Sequence, residues 1–202
     1  MNSRGPLGGS TSDAHPSVPL GAQGLPTPST ASTAVPLGSA LVVRRARTSD
    51  VPEIKRLVDV YAGRILLEKN LVTLYEAVQE FWVAELDGRV VGCGALHVLW
   101  ADLGEVRTVA VHPDVKGGGV GRIVVERLIA VARELELRRV FVLTFEVDFF
   151  ARHGFAEIEG TPVTAEVYAE MCRSYDTGVA EFLDLSYVKP NTLGNTRMLL
   201  TL

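Results

Sequence analysis

Residues 104–122, Gly-Glu-Val-Arg-Thr-Val-Ala-Val-His-Pro-Asp-Val-Lys-Gly-Gly-Gly-Val-Gly-Arg, limit the choice of fold more than any other part of the chain. They read as a β-strand, a short turn and a glycine-rich loop that opens straight into a helix. Glycine at positions 117, 118, 119 and 121 leaves no Cβ between the backbone amides and a bound group. The amides of such a loop converge on one spot, and the helix dipole adds partial positive charge there. That spot suits a diphosphate. Lys116 and Arg122 flank it with full charges, and Glu105 places a carboxylate on the strand just upstream. Two other phosphate motifs do not fit. A P-loop needs Lys-Ser or Lys-Thr after its glycines. A Rossmann fingerprint follows its strand directly and needs a third glycine, whereas here residues 112–116 intervene and Arg122, Ile123 and Val124 follow.

The rest of the chain reads as α/β. Residues 41–47 alternate as a strand. Asp50 and Glu53 form a predicted capping box with Pro52 in the first turn, followed by Ile54, Leu57, Val58 and Tyr61 at helical spacing. Leu71, Leu74, Tyr75 and Val78 mark a second short helix. Residues 81–86 and 89–99 are strands joined by Asp87-Gly88, a hairpin turn. A strand over 105–111 precedes a helix from 119 to about 137 with Val120, Val124, Leu128 and Val131 inward. A buried strand over 139–144, a short helix over 149–153 stopped by Gly154, a helix over 164–172 and a last strand over 196–202 complete the pattern. This order predicts a mixed, mostly antiparallel sheet with helices on both faces. Residues 1–40 stand apart, holding six of the ten prolines among Gly, Ser, Thr and Ala. Such a segment buries too little apolar surface to offset its ordering entropy, so it reads as a disordered tail before one domain over 41–202.

Composition excludes several classes. A net charge of -4 offers nothing to nucleic acid, and the basic run Arg44, Arg45, Arg47 reads as the solvated face of an edge strand. Cys93 and Cys172 are far apart and form no metal-binding pair, which fits a reducing, cytoplasmic setting. The four histidines are scattered, so no metal site is expected. No apolar run approaches the ~20 residues that would span a membrane.

The run Lys116-Gly117-Gly118-Gly119-Val120-Gly121 resembles the Q/R-x-x-G-x-G/A signature of the GNAT acetyltransferases, with Lys for the first Gln or Arg. Phe149-Phe-Ala-Arg-His-Gly-Phe155 resembles that family's F-Y-x-x-x-G-F segment. The resemblance implies the GNAT fold and acetyl-CoA as co-substrate. It places the pyrophosphate on Lys116, Gly117, Gly118, Gly119, Val120, Gly121 and Arg122, and the pantetheine arm on the backbone of Val109, Ala110 and Val111. The Val109 amide would face the developing oxyanion. Glu105 matches the general base of related histone acetyltransferases and would act directly or through a water. Phe150 stands where the family commonly has a tyrosine that meets the departing thiolate. Tyr168, Tyr175 and Tyr187 are open alternatives, and a thiol with a pKa of about 8.5 can also leave without a strong acid.

A closer resemblance is to the acetyltransferase domain of bacterial N-acetylglutamate synthases. It rests on Gly104-Glu105, Val109-Ala-Val-His-Pro-Asp114, Phe141-Val-Leu-Thr144, the segment 150–155 and Thr196-Arg-Met-Leu-Leu200. It implies acetyl transfer to the α-amine of L-glutamate, the entry to arginine biosynthesis, with glutamine as a further acceptor. Longer relatives carry an amino-acid-kinase domain for which this chain has no room, so the short stand-alone type is expected, and arginine feedback routed through that domain is left open. After Ile65-Leu66-Leu67 the relatives place basic residues, whereas here only Lys69 of Glu68, Lys69 and Asn70 is a cation. Arg107 shares the face of Glu105 by period two. Lys69, Arg107, Thr196 and Arg197 are therefore the candidate grips on the acceptor. Another small amine, a protein N-terminus, or a non-catalytic module that senses acetyl-CoA or an amino acid are the competing readings, and a homodimer is left open.

Overall fold

The computed structural model describes residues 41–63, 66, 69–185 and 195–202. The tail reading for 1–40, the Ile65, Leu67 and Glu68 positions and Tyr187 lie outside them. Seven strands build one sheet: β1 (Leu41–Arg45), β2 (Phe81–Leu86), β3 (Arg89–Trp100), β4 (Leu103–Val111), β5 (Arg139–Thr144), β6 (Ala156–Glu157) and β7 (Thr196–Thr201). Their order is β1-β2-β3-β4-β5-β7-β6. Every neighbouring pair is antiparallel except β4–β5. The β2–β3 hairpin turns at Asp87 and Gly88, whose φ values of 49° and 79° are the left-handed pair that a two-residue turn requires.

Helices cover both faces. On one side α3 (Val120–Glu134) and α4 (Val147–Ala151) bury Val124, Val125, Leu128 and Phe150 against Leu96, Val106, Val140 and Val142. On the other, α1 (Val51–Asp59) and α2 (Leu71–Glu76) enclose Ile54, Leu57, Leu74, Phe81 and Val83. Beside them α5 (Ala165–Met171) and α6 (Thr177–Phe182) enclose Leu103, Phe141, Met171 and Phe182. Strand alternation explains the division, since Val140 and Val142 face α3 while Phe141 meets the Phe182 ring edge-on at 5.0 Å. Glycines let α3 lie flush on the sheet. A Cβ on Gly92 would sit 2.7 Å from Val120, and one on Gly94 2.9 Å from Val124.

Several local expectations change. Asp50 does not cap α1 through its side chain. Its carboxylate instead accepts from the Arg47 amide (2.7 Å) and from both terminal nitrogens of Arg44 (2.7 and 3.0 Å). Arg44 also donates to Glu85 (2.8 Å), so it belongs to a half-buried ion network rather than a solvated face. The guanidinium of Arg127 stacks 4.0 Å from the Trp82 ring centroid, with Arg45 at 5.6 Å. The first strand stops at Arg45, Val78 falls in a 3-10 turn, and α3 ends at Glu134. The helix before Gly154 runs Val147–Ala151. Two elements were not expected from the sequence: β6, with only two residues, and α6.

Candidate active site

Strands β4 and β5 pair for only three residues, ending at Glu105↔Phe141. Beyond that point they diverge, and a cleft of 780 Å³ opens between them. This lies within the usual range for a small-molecule site. Its floor near β4 is shaped by a bulge. Cys93 pairs with Ala110 and Ala95 with Arg107, so Thr108 and Val109 together oppose Gly94. Thr108 holds φ at 58°, rare for a β-branched residue. The extra residue flips the faces of the strand. Glu105 and Arg107 lie on one face, while Val106 shares the α3 side with Val109 and Val111.

The glycine loop closes one end of the cleft. Gly117 and Gly119 both sit at φ 85°, in open space, so backbone conformation rather than room requires glycine there. Gly119 is the N-cap of the fifteen-residue α3, and no side chain caps that terminus. The first amides of α3 thus keep their donors for a ligand, and their field favours an anion. Lys116 and Arg122 stand at the rim, loosely paired to Glu146 (3.8 Å) and Glu126 (3.4 Å). Of the sequence-predicted residues, Val109, Ala110, Val111, Lys116, Gly117, Gly119, Gly121 and Arg122 line the cleft, and Gly118 and Val120 do not. The Val120 side chain is in the core. Tyr61, not foreseen, lines it as well and donates to the Val111 carbonyl at 2.6 Å.

A second, 70 Å³ chamber lies across the bulge, lined among others by Lys69, Thr73, His97, Arg107 and Asp176. Arg107 and Thr108 border both spaces. Behind this wall Glu105 is buried, with one carboxylate oxygen making no hydrogen bond among the described residues. Burial lifts its pKa to about 7, although the Arg107 guanidinium, 3.6 Å away, pulls the other way. Arg107 donates to both oxygens of Asp176 (3.2 and 3.1 Å), while its Nε and Nη2 make no hydrogen bond among the described residues. Burial pushes the Asp176 carboxyl up, but Arg107 and the Val179 amide together hold it below its ordinary value. Lys69 is pushed down by burial and by Arg107. A buried acid near neutrality beside partly unsatisfied donors is equipped for proton transfer and for holding a carboxylate.

The profile of the Acetyltransferase (GNAT) family matches residues 52–157. This chain belongs to the GNAT acetyltransferase family. It is an enzyme, and acetyl-CoA is its co-substrate. An amino-acid acetyltransferase of Mycobacterium tuberculosis is 79% identical over 164 residues, spanning 80% of this chain and 94% of the relative. The crystal structure of Rv2747 from Mycobacterium tuberculosis in complex with CoA and NLQ matches with a TM-score of 0.78 at 79% identity, over 80% of this chain and 99% of that one. N-acetylglutamate synthase from Neisseria gonorrhoeae, complexed with coenzyme A and N-acetyl-glutamate, matches with a TM-score of 0.64 at 25% identity. That match covers 81% of this chain and 35% of the longer protein.

Against the GNAT frame, the expected acceptor residues divide. Lys69 and Arg107 line the small chamber. Thr196 and Arg197 line neither space. Arg197 is committed elsewhere, donating to the carbonyls of Glu181 (3.1 Å), Phe182 (2.6 Å) and Gly160 (3.2 Å), and so closes the C-terminus of α6. That helix roofs the site. Asp176 is its N-cap, accepting from the Val179 amide at 3.0 Å. A Cβ on Gly178 would fall 2.9 Å from Glu105 Oε2 and 3.1 Å from Arg107. Asp176, Gly178, His97 and Glu80 escaped sequence reading. An Asp three residues before Val179 was the one available hint, a capping residue ahead of a short apolar run. Among the tyrosines weighed as proton donors, Tyr168 bonds the Leu183 carbonyl in the core and Tyr175 is fully exposed. Among the described residues no cluster of three or more His, Cys, Asp or Glu could hold a metal, and no helix is long and apolar enough to cross a membrane.

Proposed function

We propose that this GNAT enzyme transfers the acetyl group of acetyl-CoA to the α-amine of an amino acid, L-glutamate or L-glutamine, and so serves as an N-acetylglutamate synthase at the entry to arginine biosynthesis in the cytoplasm. One observation carries the reading: a large cleft with an uncapped helix N-terminus and a small chamber that holds Lys69, His97 and Asp176 share the Arg107–Thr108 wall. Donor and acceptor thus approach the bulge from opposite sides. The names of the 79% identical relative and of the Neisseria gonorrhoeae complex support an amino acid as the acceptor.

The residues divide the work. The amides of Gly117, Gly119 and Gly121, with Lys116 and Arg122, hold the pyrophosphate, whereas the Gly118 amide is turned to the Val115 carbonyl at 3.1 Å; the backbone of Val109, Ala110 and Val111 aligns the pantetheine arm. Bound acetyl-CoA supplies the activated acyl group. The Val109 amide stabilises the oxyanion, Lys69 and Arg107 hold the acceptor's carboxylates, and Glu105, expected from sequence as the base, stands behind Arg107 at 3.6 Å. Arg197 acts at one remove by fixing α6. The test is a panel of free amino acids and amines, read by thiol release from acetyl-CoA. Turnover confined to glutamate and glutamine is expected. Turnover with other amines alone would move the acceptor elsewhere, and coenzyme binding without any turnover would leave a sensing module.

A further inference from the structure

Glu105 lines neither the cleft nor the chamber, because α6 and Arg107 cover it. An acceptor in the chamber therefore meets a different base first. His97 lines the chamber and sits directly opposite Glu105 in the β3–β4 ladder. Its Nδ1 lies 2.7 Å from Glu80 Oε1. An ionised carboxylate can only accept, so Nδ1 carries the hydrogen and the neutral ring keeps its lone pair on Nε2. This is a base with an orienting acid behind it, the arrangement that makes an imidazole a competent proton acceptor. The site reached from each side is electrostatically mixed. Glu80 contributes from the turn after α2, Lys69 from the segment before α2, Glu105 and Arg107 from β4, and Asp176 and Glu181 from α6.

We propose that His97, oriented by Glu80, removes the ammonium proton of the acceptor. This rests on the acetyltransferase reading above. One proton passes from the ammonium to His97 and leaves to solvent. The freed amine nitrogen then forms its bond to the acyl carbon as the carbon–sulfur bond breaks. The amine's second proton ends on the coenzyme sulfur, giving the amide, free thiol and one released proton. Glu105, opposite the ring, stabilises the imidazolium when ionised.

The experiment measures thiol release against pH for the wild type, His97→Gln, His97→Ala and Glu80→Gln, with coenzyme affinity by calorimetry and folding by thermal melt. Gln can still donate to Glu80 but takes no proton. His97→Gln is expected to lower kcat at least 100-fold, within the range of general-base catalysis, and to leave coenzyme affinity unchanged. Added imidazole is expected to restore part of the His97→Ala rate. Glu80→Gln removes the charged partner that orients the ring and is expected to lower kcat with coenzyme affinity unchanged. A folded His97→Gln with wild-type kcat and an unmoved acid limb overturns the proposal. A wild type that turns over no amino acid instead defeats the functional reading itself.

Discussion

At the residue scale, Glu105 sets a measurable pH signature. Its folded-state pKa of about 7 lies above the ordinary carboxylate value, so the fold favours the protonated acid. The resulting stability is fully present below pH 4.5 and is lost as pH rises through 7, where the ionised group is buried at a cost of roughly 3 kcal/mol. Glu105→Gln is therefore expected to raise the melting temperature by several degrees at pH 8 and to leave it nearly unchanged at pH 4.5. A parallel melt series of the two proteins checks this, and an equal difference at both pH values would contradict the burial argument. The pairing of Glu105 with Arg107 was legible because period two needs only the local strand. His97, Glu80 and Asp176 were not, because they reach the same spot from segments far away in sequence. The bulge at Thr108 also left no mark, since its left-handed conformation falls on a threonine rather than a glycine.

At the element scale, the flush seating of α3 is what aims its N-terminus at the cleft. Gly94→Ala would press a Cβ against Val124 at 2.9 Å and Leu128 at 3.0 Å. Overpacking of this kind costs about 1–3 kcal/mol. We expect a lower melting temperature together with a raised KM for acetyl-CoA, and an unchanged melt would refute the packing account. Element prediction succeeded where a local rule acts alone. Asp87-Gly88 forces a hairpin, and 139–144, apolar over its four central residues, was matched at both ends. It failed for α6, where Gly178, Val179, Ala180 and Phe182 are buried and the polar face is only Thr177 and Glu181, too short a run to reveal a helical period. That helix exists because Asp176 caps one end and Arg197 the other, and the second contact is tertiary. The same reason explains Arg197, which was expected at the acceptor and is found holding the roof.

At the scale of the whole molecule, the divergence of β4 from β5 leaves a space that the protein's own side chains do not fill. A ligand that binds only the folded state adds stability by mass action, about 3 kcal/mol at a hundredfold excess over Kd. Free CoA is therefore expected to raise the melting temperature, and Lys116→Ala to shrink that rise. A melt insensitive to CoA would place the coenzyme elsewhere. Fold class was readable because the order of elements and the glycine loop are sequence-local, whereas the cleft follows from how β4 and β5 part and the chamber from how α2 and Asp176 meet the β3–β4 pair.

The border formed by Arg107 and Thr108 has a consequence for kinetics. A partition two residues thick cannot be adjusted for one compartment alone. Whichever ligand arrives first sets the backbone that the second must use, so the occupancies are linked and each ligand changes the other's affinity by the same factor. The two binding steps are thus joined through a single kink of one strand.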